Sequence, residues 1–170
     1  NYGPIARGVG FKGEYCTTMF NKARDIILDF FCVLDNDDYT VIYTKSDTEG
    51  LNALANVLIQ DKDDMVLTTR MEHHANDLPF RRVAKMVYVE VDVLGRINID
   101  DIEEELIKAN GKIKVVTITG ASNVTGYITP IHDIARLAHK YGAVIIVDGA
   151  QLIAHREVNL AGNSKDEEID

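Results

Sequence analysis

Residues 143–151, with the sequence AVIIVDGAQ, constrain the fold of this chain more than any other segment. The continuous apolar run at their start is typical of a strand that is buried on both faces, as in a parallel sheet. The polar residues that follow fall at the carboxyl end of this strand, where open α/β sheets bind their ligands. Asp148 and Gln151 are therefore candidate binding residues, although a lone aspartate at this place would more often be a solvated strand end.

Strand-like and helix-like segments alternate along the rest of the chain. Further strands are predicted at residues 40–44, 65–69, 85–91 and 113–119, and helices at residues 17–31, 46–58, 97–110 and 130–141. A loop is expected through Tyr15, a short helical piece broken near Pro79, and a helix start at Thr129-Pro130 with the proline in the first helical position. This alternation predicts an α/β fold, a three-layer α/β/α arrangement with a mainly parallel sheet.

The charge and composition exclude several classes of partner. The net charge is −9, from 27 acidic and 18 basic residues, which argues against binding to nucleic acid or to an anionic membrane surface. No apolar run approaches the ~20 residues of a membrane helix, and the first residues lack the apolar core of a signal peptide. Cys16 and Cys32 do not form a disulfide framework, so a cytoplasmic location is expected.

Polar side chains follow several of the strand-like segments. Thr48 comes after residues 40–44, His73 after residues 65–69, and Asn123 after residues 113–119. With Asp148 and Gln151 they would offer an anion pocket at a helix start, an aromatic ring, two amides and a buried carboxylate. A phosphorylated heteroaromatic ring with a basic nitrogen would satisfy all of these groups.

Each of these residues also has a simpler interpretation. Most threonines such as Thr48 only cap a helix, most histidines are structural, and Asn123 could belong to an ordinary turn. The triplet Glu72-His73-His74 raises the possibility of a metal site, but consecutive side chains diverge in a strand and in a helix alike, so one ion is hard to chelate. Neither G-x-G-x-x-G nor a P-loop motif is present.

Four stretches give the chain a specific resemblance to a known family. They are TKSDTEGLN at 44–52, MEHHAN at 71–76, ASNVTGYITPI at 121–131 and VDGAQLIAH at 147–155. In order and spacing they resemble the large domain of the class V (fold type I) aminotransferases, and within that family the cysteine desulfurase and selenocysteine lyase group. The resemblance implies that residues 1–170 are a partial large domain, that the cofactor is pyridoxal 5′-phosphate, and that the full-length enzyme is a homodimer.

The resemblance also implies a role for each candidate residue. Thr48 would bind the phosphate, and His73 would stack on the ring and move protons as a catalytic residue. Asn123 and Gln151 would hydrogen-bond the ring hydroxyl, and Asp148 would pair with the pyridine nitrogen and keep it protonated.

Two departures from the family pattern stand out. The Ser-x-His-Lys motif that carries the family's Schiff-base lysine is absent, as are the C-terminal domain and its cysteine, and Lys165 is interpreted as a surface residue. Asp47 stands in the phosphate turn, where a small or hydroxyl residue is usual. The resemblance and these departures together imply an inactive fragment of an enzyme that removes sulfur or selenium from L-cysteine or L-selenocysteine and leaves L-alanine. The alternatives are another class V aminotransferase or epimerase, and a non-catalytic α/β binding module.

Overall fold

The computed structural model describes Gly3, Ile5 and residues 10–170. The chain folds as two compact units. One unit consists of Asn1–Tyr43 with Glu157–Leu160, and the other of Thr44–Arg156 with Ala161–Asp170. None of the helices in the described part of the chain is both long and apolar enough to cross a membrane.

The first unit is dominated by one long helix, α1, Phe11–Phe30. The predicted loop is wrong for residues 11–15, because the helix begins directly after Gly10, which has a φ of 76° and whose carbonyl accepts the Glu14 N–H. Most of the predicted loop before Gly10 lies outside the described residues. Cys16 lies on α1 and Cys32 just beyond its end, and both thiols are free.

The strand predicted at residues 40–44 is wrong. A strand needs a ladder of hydrogen bonds to a neighbour, and the described residues form no ladder with this segment. Its apolar side chains are not buried either, since Ile42 is 76% exposed and Tyr43 44%. The segment crosses from the first unit into the second at Thr44.

The second unit contains a four-stranded sheet. Its strands are β1 (Met65–Thr69), β2 (Lys85–Val89), β3 (Ile113–Thr119) and β4 (Val144–Asp148). Their order is β2-β1-β3-β4 and every pair is parallel, so the predicted parallel α/β fold is confirmed. Parallel strands all end at the same edge, which brings Thr69, Thr119 and Asp148 to one side of the sheet.

Four helices flank this sheet, α2 (Asp47–Leu58), α3 (His74–Arg81), α4 (Ile99–Ala109) and α5 (Ile131–Lys140). Apolar residues of α2 and α3 pack into one core cluster with one residue from each of β1, β3 and β4, namely Leu51, Ala55, Ala75 and Phe80 with Val66, Val115 and Ile146. α4 and α5 contact each other and the strands, and Ile102, Leu106, Ile134 and Ala138 are buried there. A short 3₁₀ helix, Lys165–Glu167, packs on α5.

Helix boundaries differ from the sequence prediction at two prolines. Pro79 lies inside α3, where a break was expected. The proline cannot donate a backbone hydrogen bond, yet this 8-residue helix continues two residues past it to Arg81. Pro130 occupies the N-cap position of α5, and the helix begins at Ile131. The predicted start at a proline is therefore displaced by one residue.

Candidate functional site

A cavity of about 290 Å³ lies at the carboxyl edge of the sheet. The ends of β3 and β4 and the amino-terminal ends of α2 and α3 surround it. Its volume is near the lower end of the ~300–1,000 Å³ of small-molecule pockets. It is lined by Ser46, Asp47, Thr48, His73, Ala75, Thr119, Ala121, Asn123, Asp148, Ala150 and Gln151. All five residues predicted to bind a cofactor thus meet in one place.

Thr48 reaches the cavity through the start of α2, although the strand expected before it does not form. Ser46 is the N-cap of this helix, with extended backbone angles, and its hydroxyl accepts the Glu49 N–H at 3.2 Å. The first turn that follows carries Asp47 and Thr48 into the cavity wall. The free N–H groups and the positive dipole end of a helix start favour an anion.

His73 is the N-cap residue of α3. Its Nδ1 accepts the Ala75 N–H at 3.2 Å. Since a backbone N–H can only donate, Nδ1 carries a lone pair in this arrangement, and in the neutral ring the proton is on Nε2. The ring is exposed and lines the cavity, with the centroid of the His74 ring 6.0 Å from its own. His73 therefore presents a flat face and a hydrogen-bond donor in a fixed tautomer.

Asp148 is the last residue of β4 and is 5% exposed. Its Oδ1 accepts the Ala150 N–H at 3.0 Å, which is the one hydrogen bond that the carboxylate makes with the described residues. Asn123 and Gln151 follow the ends of β3 and β4, and their side chains form no hydrogen bonds with the described part of the chain. One buried carboxylate and two exposed amides are therefore available to a bound molecule.

The cavity is acidic. Asp47 and Asp148 both line it, and none of the described lining residues is a lysine or an arginine. Burial, and the charge of Asp148 next, raise the pKa of Asp47, while His73 acts in the opposite direction. The two carboxylates thus interact across the cavity.

A buried polar network that the sequence analysis missed lies next to the cavity. Glu72 accepts a hydrogen bond from the Thr69 hydroxyl at 2.6 Å and one from the Asn76 amide at 2.7 Å. The amide oxygen of Asn76 in turn accepts the Thr117 hydroxyl at 2.5 Å, and the Thr68 hydroxyl donates to the Thr117 carbonyl. The network connects β1 and β3 to α3. Two of its members, Glu72 and Asn76, lie on either side of His73 in the sequence.

Glu72 is the titratable member of this network. Burial raises its pKa to about 7, against the hydrogen bonds from Thr69, Asn76 and the Thr119 backbone, and Asp148 raises it slightly further. A sequence signal for the network existed, because threonines interrupt the apolar runs of β1 and β3. No group of three or more His, Cys, Asp or Glu residues in the described chain is placed to hold a metal ion.

Two further cavities adjoin the site and share His73. One, of about 330 Å³, extends along α3 past His74 and Leu78 to Arg82. The other, of about 510 Å³, is formed by the loops after β1, β2 and β3 and also shares Asn123. His73 therefore stands where three cavities meet.

Comparison with known proteins agrees with this arrangement. The profile of the family Aminotransferase class-V matches residues 1–166. The chain belongs to this family. A probable cysteine desulfurase from Halalkalibacterium halodurans is 33% identical over 165 residues, which are 92% of this chain and 39% of that protein. The apo structure of a cysteine desulfurase from Thermococcus onnurineus NA1 is 29% identical, with a TM-score of 0.83 over 96% of this chain and 40% of that one.

A structure with lower sequence identity has the same fold. A NifS-like protein from Rickettsia africae has 22% identity and a TM-score of 0.83 over 96% of this chain and 44% of its own. The expected resemblance to cysteine desulfurases is confirmed. The chain spans 39% of the length of two of the curated relatives it matches and 24% of a third.

Proposed function

We propose that this chain forms the pyridoxal 5′-phosphate site of an enzyme of the cysteine desulfurase type. One observation carries the proposal. Side chains from four separate parts of the sequence, Thr48, His73, Asn123 and the pair Asp148 and Gln151, line a single cavity at the carboxyl edge of a parallel sheet. Their chemistry fits the parts of this cofactor.

Asp148 is suited to bind the pyridine ring of the cofactor. A nearly buried carboxylate with one hydrogen bond from the described chain can accept an N–H from a pyridinium nitrogen. Its negative charge would keep that nitrogen protonated. When bound, pyridoxal 5′-phosphate supplies an electron sink that stabilises negative charge on a substrate carbon.

The remaining lining residues would orient the cofactor. The amides of Asn123 and Gln151 would donate to the ring hydroxyl, and Thr48 would donate its hydroxyl and a helix-start N–H to the phosphate. The flat ring of His73 would stack on the cofactor ring. As a catalytic residue His73 would hold the proton at Nε2, because Nδ1 is committed to the Ala75 N–H.

The activity of the whole enzyme is part of the same proposal. By likeness to the cysteine desulfurases, it would remove sulfur or selenium from L-cysteine or L-selenocysteine and release L-alanine, as a homodimer in the cytoplasm. Residues 1–170 would then be part of its large domain. Lys165 is exposed on the short 3₁₀ helix and does not line the cavity, so this chain by itself is expected to bind the cofactor without a covalent bond and to be inactive.

A binding titration tests the proposal. Pyridoxine 5′-phosphate is the best probe, since it lacks the aldehyde and cannot react with surface lysines. Asp148→Asn keeps the shape of the side chain and removes its charge, so we expect its dissociation constant to rise about tenfold to a hundredfold, as for the loss of a charged hydrogen bond. Asp133→Asn, on the exposed surface of α5, is the matched control and should bind as the wild type does. Equal affinity of the wild type and Asp148→Asn would contradict the assigned role.

A further inference from the structure

We propose that Asp47 is a specificity-determining residue of this cavity, whose carboxylate opposes the phosphate end of pyridoxal 5′-phosphate and favours ligands with less negative charge at that end. This inference rests on the proposed function. It concerns how tightly the site holds one part of its ligand.

Asp47 lies at the helix start that faces the cavity. It is the first residue of α2, between the N-cap Ser46 and Thr48, and all three line the cavity. The helix start that would attract a phosphate therefore already carries an anion of its own. A second anion at the same place is repelled by the first.

The charged groups around Asp47 do not neutralise it. Asp148 faces it from the end of β4 and His73 from the start of α3, and on its own segment Lys45 and Glu49 are the nearest charged residues in sequence. Glu49 turns back to accept the Lys45 N–H at 2.6 Å and does not line the cavity. With no lysine or arginine among the described lining residues, no strong cation compensates the two carboxylates.

The repulsion should decrease with falling pH. Partial burial and the nearby Asp148 raise the pKa of Asp47, so its carboxylate takes up a proton at a higher pH than an isolated aspartate in water does. A phosphate monoester loses one of its two charges below a pKa of about 6. Both changes reduce the repulsion, and we expect the preference for a phosphorylated ligand over its unphosphorylated form to increase as the pH falls from 8.

Binding of two ligands that differ only in the phosphate tests the inference. Dissociation constants of pyridoxine 5′-phosphate and pyridoxine are measured by calorimetry for the wild type, Asp47→Asn and Glu49→Gln. Asp47→Asn should tighten binding of the phosphorylated ligand on the order of tenfold, and change that of pyridoxine about twofold or less, because the charge lies at the phosphate end. Glu49→Gln removes a charge from the same helix turn outside the cavity and should leave the ratio of the two constants unchanged.

The outcomes are distinct. An equal effect of Asp47→Asn on both ligands, or a ratio that does not depend on pH in the wild type, would overturn the inference and leave the proposed function intact. If neither ligand binds to the wild type or to Asp47→Asn while circular dichroism shows both folded, the proposed function fails and the inference fails with it. Asp47→Ser, which also suits a helix start, replaces Asp47→Asn if that variant does not fold.

Discussion

Replacing Glu72 by glutamine should make the free energy of unfolding depend less on pH between 4.5 and 7. Burial raises the pKa of this carboxyl from 4.5 to about 7 in the folded chain. In the unfolded chain it titrates near 4.5, so between these two values the folded state binds a proton that the unfolded state does not. Stability contributed by this group is therefore complete below pH 4.5 and is lost as the pH rises to 7.

The size of the effect follows from the shift. A rise of the pKa from 4.5 to about 7 means that the ionised carboxylate costs the folded state about 3 kcal/mol. Glutamine cannot ionise, but its amide N–H₂ must face Thr69 or Asn76, both of which donate to Glu72. That mismatch costs about 1 kcal/mol at every pH. The variant should thus be less stable than the wild type near pH 4.5 and more stable above pH 7.5.

Urea unfolding at a series of pH values, followed by circular dichroism, measures this difference directly. The free energy of unfolding of Glu72→Gln minus that of the wild type should rise by about 3 kcal/mol from pH 4.5 to pH 7.5. Glu90→Gln, whose side chain is 76% exposed, controls for the loss of one negative charge. Parallel curves for the wild type and Glu72→Gln would refute the argument that burial governs this carboxyl.

Four other substitutions test helix capping, the polar network and two glycines. Ser46→Ala removes the N-cap of α2 and should lower the free energy of unfolding in urea by about 1 kcal/mol. Asn76→Ala leaves a buried hydroxyl and carboxylate without their shared partner, and should lower it by about 2–4 kcal/mol in the same assay. Gly95 and Gly111 both have a positive φ, of 74° and 79°, but only at Gly95 would a Cβ lie 2.6 Å from a Thr125 side-chain atom. Gly95→Ala should therefore lower the melting temperature more than Gly111→Ala, and an equal loss would show that Thr125 moves aside freely.

The sheet could be predicted from the sequence because its strands are strongly apolar. The predicted strands at 65–69 and 113–119 have the boundaries of β1 and β3. Residues 40–44 have the same apolar, β-branched character but no neighbour among the described residues, so they do not form a strand. Local sequence reports the tendency to be extended, whereas strand formation depends on a partner that is distant in sequence.

That the candidate residues lie in one cavity was predictable for a different reason. Parallel strands bring their carboxyl ends together, so polar residues after several strands must lie close to one another. Thr48 reached the predicted cavity by another route, through its helix start. The Glu72 network escaped prediction, because whether Thr117 bonds to Asn76 depends on how α3 lies against β3, and no local pattern encodes that packing.

If Asp148 pairs with the ring nitrogen of pyridoxal 5′-phosphate, as proposed, the cavity should distinguish ligands with and without that nitrogen. The most direct measurement compares the dissociation constants of pyridoxine 5′-phosphate and of its analogue with carbon in place of the ring nitrogen, for the wild type and Asp148→Asn. We expect the wild type to prefer the nitrogen-containing ligand by about tenfold or more, and the preference to be largely lost in the variant. An equal affinity of the wild type for the two ligands would contradict the proposed pairing.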